Sequence, residues 1–420
     1  MNQVETESIA QLLKKIGFEL SDEYPQLIFV NTCCVTGRAE AKSRRFVGRL
    51  AKTFPSSKII AAGCLAELKP EDLVCLGENI QSLGTVAKDR LLSAESLLDT
   101  TFGTHPELKA HTCHEFSQLP TPLSQDRSRA FLKIQDGCSQ RCSYCIVPTT
   151  RGPSRSKNMA KALQDVTDLE NSGFPEIVLT GIHLGAYGRD LNPESSLEEF
   201  VSNSLNSLKN SRLRMSSIEP QEISERLIDM VAEDSRLCNH FHIPIQSMDD
   251  SILKAMGRPY SCSLIQELIS RILIKIPEAC IGADIMVGFP GEDDTSFGLT
   301  LEALKRSGLS YLHVFPFSKR PGAPASNMKG TPDRKAVAKR VLELRDLSSR
   351  LRDRFYGKFL GSELQACLES GHQGTAGSVH VRTDNYITAL ILKTDLDLKG
   401  RLFKIRLDRI EGEFVSATLV

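Results

Sequence analysis

Apolar positions along the chain follow two periods, and the places where the period changes divide it into segments. From Glu5 to Ile16 they recur three to four apart, the spacing of one helix face. Short apolar runs follow at Leu27–Asn31, Ile59–Ala62 and Asn79–Leu83, interleaved with helical stretches at Ala39–Thr53 and Ala87–Leu98. Such alternation predicts a small parallel sheet packed against helices. His105 to Asp126 is rich in Pro, Ser, Thr and His and reads as a linker. Beyond it, strand-like runs stand at Phe131–Gln135, Ile177–Thr180, Leu213–Ile218, Phe241–Ile245, Ala283–Val287 and Tyr311–Phe315, with helical segments such as Leu264–Ile274 and Thr295–Ser307 between them. Six βα units predict an open, partial (βα)6 barrel of the TIM type. A long helix, Asp333 to Phe355, keeps Val337, Val341, Leu344, Leu347, Leu351 and Phe355 on one face. The last sixty residues read as five short alternating strands, Leu364–Glu369, Ser378–Arg382, Tyr386–Leu392, Leu402–Leu407 and Phe414–Leu419, which suit a small β-barrel. The expected fold class is therefore α/β, with domains at 1–122, 123–357 and 358–420.

Charge changes this picture only locally. The chain balances 52 basic against 52 acidic residues, so the overall field says nothing about partners. Gly37–Lys58 holds seven Lys/Arg against one acidic residue, and Phe317–Leu360 twelve against four. Two such runs in a neutral protein resemble a footprint for a polyanion. The C-terminal sixty residues hold seven basic against eight acidic residues. RNA binding by that barrel thus rests on fold analogy alone. No apolar run reaches membrane-spanning length and the N-terminus has no signal-peptide pattern, so the chain reads as cytoplasmic. In that compartment its twelve cysteines argue for metal or cluster ligation rather than disulfides.

The cysteines point to a site. Cys138, Cys142 and Cys145 are spaced C-x3-C-x2-C just after the first barrel strand. Three thiolates on one loop can hold three irons of a [4Fe–4S] cube and leave the fourth open to a cofactor. Tyr144 stands where an aromatic could cover the cluster. A structural zinc knuckle is the alternative, but it usually takes four ligands, and no fourth is close in sequence. Cys33 or Cys34 ends one N-terminal strand and Cys64 the next, which puts two thiols at one rim of the sheet and suggests a second metal site. The remaining cysteines, Cys75, Cys113, Cys238, Cys262, Cys280 and Cys367, read as packing residues. The other barrel strands end in polar or Gly-rich turns, TGIHLGAYG, SSIEP, PIQS, VGFPGE and FPFSKRPG, where catalytic loops of such barrels lie.

These residues resemble a known family. The three-cysteine loop after Asp136-Gly137, with YCIVP and RGPSRS, looks like the radical SAM enzymes. The order of motifs VNTCCVTGRAE, AAGCLAE, SSIEP, IPIQS, GADIMVGFPGE, LHVFPFSKRPGAPA and RTDNYI resembles the radical SAM methylthiotransferases, whose last domain is a TRAM barrel. HVFPFSKRPGAPA and TDNYI are most similar to the MtaB type, which acts on N6-threonylcarbamoyladenosine in tRNA. The resemblance implies that Cys138, Cys142 and Cys145 hold a cluster binding S-adenosylmethionine (SAM) and generate a deoxyadenosyl radical. It implies that Tyr144, Gly181, Ser217, Glu219, Gln246 and Gly288 line the SAM pocket. Cys33 and Cys64 match two ligands of an auxiliary [4Fe–4S] cluster, which supplies or carries the sulfur. The expected partners are a tRNA anticodon stem-loop, an electron donor and a sulfur source. Alternative functions are the MiaB type, which acts on isopentenyladenosine, and a non-catalytic RNA-binding protein with structural clusters.

Two departures accompany the likeness. The family opens with a strand ending in Gly-Cys, two residues before Asn-Gln-x-Glu, and that cysteine is the third auxiliary ligand. This chain begins Met1-Asn2-Gln3, so the expectation is a start shortened by roughly ten to fifteen residues. Rearrangement of Cys34 is the less favourable way to a third ligand. Met248 stands where the family has Gly.

Overall fold

Near-continuous apolarity of Lys58–Gly63 makes it the middle strand of the N-terminal sheet, because a strand covered on both faces needs no polar side. Strands β1 (Leu27–Thr32), β2 (Lys58–Gly63) and β3 (Ile80–Leu83) lie parallel in the order β1-β2-β3. Alternation along β2 divides the core between the two faces. Ile59 and Ala61 join Val30, Val47 and Leu65 on one side, while Ile60 and Ala62 join Ile9, Leu12 and Leu83 on the other. Helices α1 (Asn2–Lys15) and α2 (Gly37–Thr53) flank the sheet, and Thr36 caps α2 by accepting from the Ala39 N–H at 3.1 Å. The computed structural model describes residues 2–21, 23–92, 110–123, 128–373, 377–392 and 398–420. Of the expected helix Ala87–Leu98, Val86–Leu92 is a 3₁₀ helix and the rest lies outside the described residues. This sheet belongs to a compact unit made of 1–124, 133–157 and 318–327.

The second unit comprises 125–132, 158–317 and 328–420. Its strands β4 (Ala130–Lys133), β5 (Glu176–Thr180) and β6 (Arg212–Met215) form one parallel sheet, and β7 (His240–Gln246), β8 (Cys280–Val287) and β9 (Tyr311–Pro316) form another. Leu213 links them, donating to the Arg236 carbonyl at 2.7 Å and accepting from the Cys238 N–H at 2.8 Å. Six parallel strands in sequence order thus bear out the βα-barrel expectation. Regular pairing of β6 ends at Met215 rather than Ile218, yet the Ile218 N–H still reaches the His242 carbonyl at 3.0 Å. Helix α3 (Arg334–Gly357) packs on β9, with Ser348 Oγ accepting from the Leu312 N–H at 2.9 Å.

Five further strands, β10 (Glu363–Gln373), β11 (Ser378–Thr383), β12 (Thr388–Leu392), β13 (Phe403–Glu411) and β14 (Phe414–Leu419), close into a barrel in the order β10-β11-β12-β14-β13. The strand expected from Tyr386 begins two residues later. Tyr386 sits in a left-handed turn at φ 66°, where Thr383 Oγ1 accepts from the Ile387 N–H at 2.9 Å.

A buried ion cluster ties the small barrel to the larger one. Glu176, fully buried at the start of β5, accepts from Arg212 Nε, Arg214 Nε and Arg214 Nη2 at 2.8 Å each, and from Arg129 at 3.2 Å. Arg129 also donates to Glu369 at 2.6 Å, and further N–H groups of Arg212 and Arg214 donate across to backbone carbonyls. Arg212 reaches Gln365 (3.1 Å) and Arg382 (2.9 Å), and Arg214 reaches Thr383 and Asp384 (2.9 Å each). Tyr386 stacks on His240 at 4.1 Å between centroids, with the Arg382 guanidinium 4.4 Å from its ring. Burial alone would raise the Glu176 pKa, but Arg214, Arg212 and Arg129 outweigh it and hold the carboxyl well below its usual range. A depressed folded pKa contributes stability above the unfolded value, and that stability is lost as pH falls through the folded one. Glu176→Gln is therefore expected to cost about 3–5 kcal/mol in urea unfolding at neutral pH. The deficit should shrink as the wild type is acidified below about pH 4; equal stability of the two proteins at pH 7 would contradict this.

Candidate cluster and cofactor site

The thiol loop is shaped by backbone that only glycine can supply. Gly137 has φ 68°, and a Cβ there would lie 1.9 Å from the Pro153 carbonyl oxygen. Its N–H donates to Asp136 Oδ1 at 2.8 Å, and the Cys138 N–H donates to the Gly152 carbonyl at 3.0 Å. Gln135-Asp136 pairs antiparallel with Arg155-Ser156, so the RGPSRS segment folds back to brace the loop. Ala325, in the GAPA stretch, donates its N–H to the Ser143 carbonyl at 2.7 Å. Cys142 is buried, while Cys138, Tyr144 and Cys145 are half-buried. The Val147 N–H points at Cys145 Sγ from 3.4 Å, a donor suited to a thiolate.

Among the described residues, His242, Asp284 and His313 form the one group of three candidate ligands gathered within 4.8 Å. Three thiols on one loop suit a cube, which takes one thiolate on each of three irons, better than a zinc ion that wants four ligands.

At the sheet rim, Cys33 and Cys64 directly follow Thr32 and Gly63, which are partners in the β1–β2 register. The strand ends therefore bring the two cysteines together, as the sequence implied. Gly63 is obligatory: at φ 101° a Cβ would meet Asn31 Oδ1 at 2.5 Å and the Thr32 carbonyl at 2.6 Å. Cys34 is fully buried in the apolar core with Val47 and Ile59, in the same cluster as Cys64. Burial, with Cys64 and Cys33 nearby, pushes its thiol up to about 12. Burial also raises the Cys33 thiol, against the opposing charges of Arg151 and Arg320.

Sequence reading missed the charges around these thiols. Arg151 Nη1 donates to Glu5 Oε1 and Asp136 Oδ1 at 2.9 Å each, and Nη2 donates to Asn2 Oδ1 at 2.8 Å. Lys133 donates to Glu5 (2.8 Å) and Asp136 (2.7 Å), and Lys88 joins Glu5 from the other side. Burial works against ionised Glu5, but Arg151, Lys133 and Lys88 hold its pKa well below the ordinary value. The available signal was Glu5 on the apolar stripe of α1, flanked by Val4 and Ile9. In the same unit, Arg320 of the SKRPG segment is buried against Glu40 of α2.

The five positions expected at the barrel mouth all lie where strands end. Gly181 follows β5, Ser217 and Glu219 follow β6, Gln246 closes β7, and Gly288 follows β8. Ser217 Oγ lies 2.8 Å from His242 Nδ1. Glu219 pairs with Arg258 at 3.0 Å, and burial nevertheless raises its pKa. Gln246 adopts φ 70°, unusual for a residue with a side chain. The Gly288 N–H faces both Glu292 carboxylate oxygens, at 3.1 and 3.2 Å.

Residues 132–304 match the model of the Radical SAM superfamily, and residues 1–83 match that of Uncharacterized protein family UPF0004. Threonylcarbamoyladenosine tRNA methylthiotransferase MtaB of Bacillus subtilis is 32% identical over 99% of this chain and 94% of its own length. The chain belongs to the MtaB family of radical SAM methylthiotransferases. Another MtaB, from Thermotoga maritima, is 33% identical over 88% of this chain and 84% of its own length. The fold is similar to that of the radical SAM methyltransferase TsrM of Kitasatospora setae. That likeness has a TM-score of 0.57 at 14% identity and covers 77% of this chain and 72% of the other. Membership of the MtaB family brings SAM and a [4Fe–4S] cluster as cofactors, and the thiol loop has the donor set for the cluster. No helix of the described residues is long and apolar enough to cross a membrane.

Removing one member of the Arg151 network leaves buried carboxylates short of positive charge. Arg151→Met should lower stability by about 3–5 kcal/mol, read as a reduced denaturation midpoint. A midpoint equal to wild type would show that Lys88 and Lys133 suffice.

Proposed function

We propose that this protein is a tRNA methylthiotransferase that converts N6-threonylcarbamoyladenosine beside the anticodon to its 2-methylthio derivative. The observation that carries this reading is the end-to-end similarity to relatives bearing that name, together with a braced three-thiol loop. Cys138, Cys142 and Cys145 hold the SAM-binding cluster, and Tyr144 shields it. Gly181, Ser217, Glu219, Gln246 and Gly288 form the cofactor side of the barrel mouth. Cys33 and Cys64 provide two thiolates toward a second [4Fe–4S] cluster. Bound there, the clusters and SAM supply the methyl group, the sulfur and the radical needed to replace hydrogen at carbon 2 of the base.

The protein's own part is to hold, orient and exclude water. Arg151 and Lys133 keep the thiol loop fixed through Asp136, and Gly288, at φ 80°, leaves room for Val337 of α3. Exposed basic residues of α2 and α3, among them Arg38, Arg45, Lys335 and Lys339, suit contacts to tRNA phosphates. The small C-terminal barrel is the TRAM-like RNA-binding domain (358–420), after the radical SAM domain (123–357) and the N-terminal domain (1–122). An electron donor and a sulfur source complete the reaction in the cytoplasm.

Mass spectrometry of tRNA nucleosides from a deletion strain is expected to show loss of methylthio-threonylcarbamoyladenosine. Loss of the methylthio-isopentenyl nucleoside instead would overturn the substrate assignment. The variant with Cys138, Cys142 and Cys145 all replaced by alanine should give no SAM cleavage after anaerobic reconstitution and reduction. Cleavage at the wild-type rate would remove those thiols from the site.

A further inference from the structure

The barrel strands β7–β9 carry a polar cluster that the cysteine loops do not use. His242 Nε2 lies 3.1 Å from His313 Nδ1 and 3.5 Å from Asp284 Oδ1, and His313 Nδ1 lies 3.4 Å from the same oxygen. Register explains the meeting. Asp284 pairs with His313, and His242 pairs with Gly282, two residues from Asp284 on the same face. The opposite face of these strands, with Phe241, Ile243, Ile281, Ala283, Ile285 and Leu312, is buried and apolar. Barrels of this type normally fill their interior with branched apolar residues. Here that level is occupied by two imidazoles and a carboxylate.

The cluster is fixed at the back and open at the front. His242 is buried and held at Nδ1 by Ser217, whereas the side chains of Asp284 and His313 are 25% and 58% exposed. Toward the amino ends of the strands, His240, Tyr311 and Tyr386 stack, closing that side. A guest therefore comes from the carboxyl ends. Gln246, Val287 and Pro316 end the three strands, three or four residues beyond the cluster, or about 10–13 Å at 3.3 Å per residue.

The proposed substrate matches this chemistry. A threonylcarbamoyl group on N6 presents a carboxylate, a hydroxyl and urea N–H groups, whereas an isopentenyl group presents none of them. Imidazole N–H groups can donate to the carboxylate, and Asp284 can accept from the hydroxyl or a urea N–H. We infer that His242, Asp284 and His313 receive the N6 substituent of the target adenosine and select a threonylcarbamoyl group over an apolar or absent one. This inference rests on the substrate reading given under Proposed function. Its physical basis is asymmetry: a site lined with hydrogen-bonding groups holds a substituent that can bond to them and gains nothing from an analogue that covers them without bonding.

The test uses the reconstituted full-length protein and anticodon stem-loop RNAs carrying threonylcarbamoyladenosine, isopentenyladenosine or plain adenosine at one position. Binding is followed by fluorescence anisotropy, which needs no turnover. Wild type should prefer the threonylcarbamoyl loop by about a hundredfold or more. His313→Phe and Asp284→Asn should each cut that preference at least about tenfold, through weaker binding of the threonylcarbamoyl loop alone. His313→Gln, which keeps a donor, should restore part of it, and thermal unfolding of each variant checks that the fold is intact. Wild-type preference with unchanged discrimination in folded His313→Phe and Asp284→Asn overturns this inference and leaves the substrate reading standing. Absence of preference in wild type overturns both. A preference that disappears when divalent cations are chelated also overturns it, in favour of a metal ion held by the same three side chains.

Discussion

Ionised side chains taken out of water must be matched partner for partner, and both units of this protein are built around that requirement. Glu5 and Asp136 stay charged in the interior because Arg151, Lys133 and Lys88 surround them. Asp136 in turn accepts from the Gly137 N–H, the residue that turns the chain into the thiol loop. The geometry of Cys138 thus depends on a carboxylate whose position depends on an arginine. In the second unit Glu176 plays the corresponding part. Arg212 and Arg214 spend their remaining donors on backbone carbonyls of the small barrel, and Arg129 donates to Glu369 there. Hydrophobic packing forms the sheets, but these ion clusters set where the loops and the last domain are held.

Much of the fold was legible because burial leaves a periodic trace. The apolar runs of β2 and β8, the heptad-like stripe of α3 and the alternation in β14 each placed an element within a few residues of its observed bounds. Turns that depend on a single hydroxyl were less visible. Tyr386 looked like the start of a strand because an aromatic favours one, but the Thr383 side chain holds it in a left-handed turn. Pairing between β6 and β7 was also hidden, since Leu213 exchanges its hydrogen bonds with the loop before β7 rather than with the strand itself.

The cysteine positions were readable from spacing alone, and the shared rim of Cys33 and Cys64 follows from two strands of equal register. What spacing could not give was orientation. Adjacent Cys33 and Cys34 are alike in sequence, yet Cys33 is half-buried and Cys34 fully buried against Val47 and Ile59. The basic–acidic partners Glu5, Lys88 and Arg151 lie far apart along the chain, and nothing local announces that they meet. The SKRPGAPA stretch read as one more barrel loop, yet Arg320 and Ala325 brace α2 and the thiol loop within the first unit.

Whether a four-iron centre on Cys138, Cys142 and Cys145 takes up SAM is the point on which the account stands. Electron paramagnetic resonance of the anaerobically reconstituted, reduced protein reads this directly. The account predicts a [4Fe–4S] signal whose line shape changes when SAM is added, and loss of that SAM-responsive signal when the three thiols are replaced. Zinc in place of iron at the loop, or a cluster signal indifferent to SAM, would contradict it.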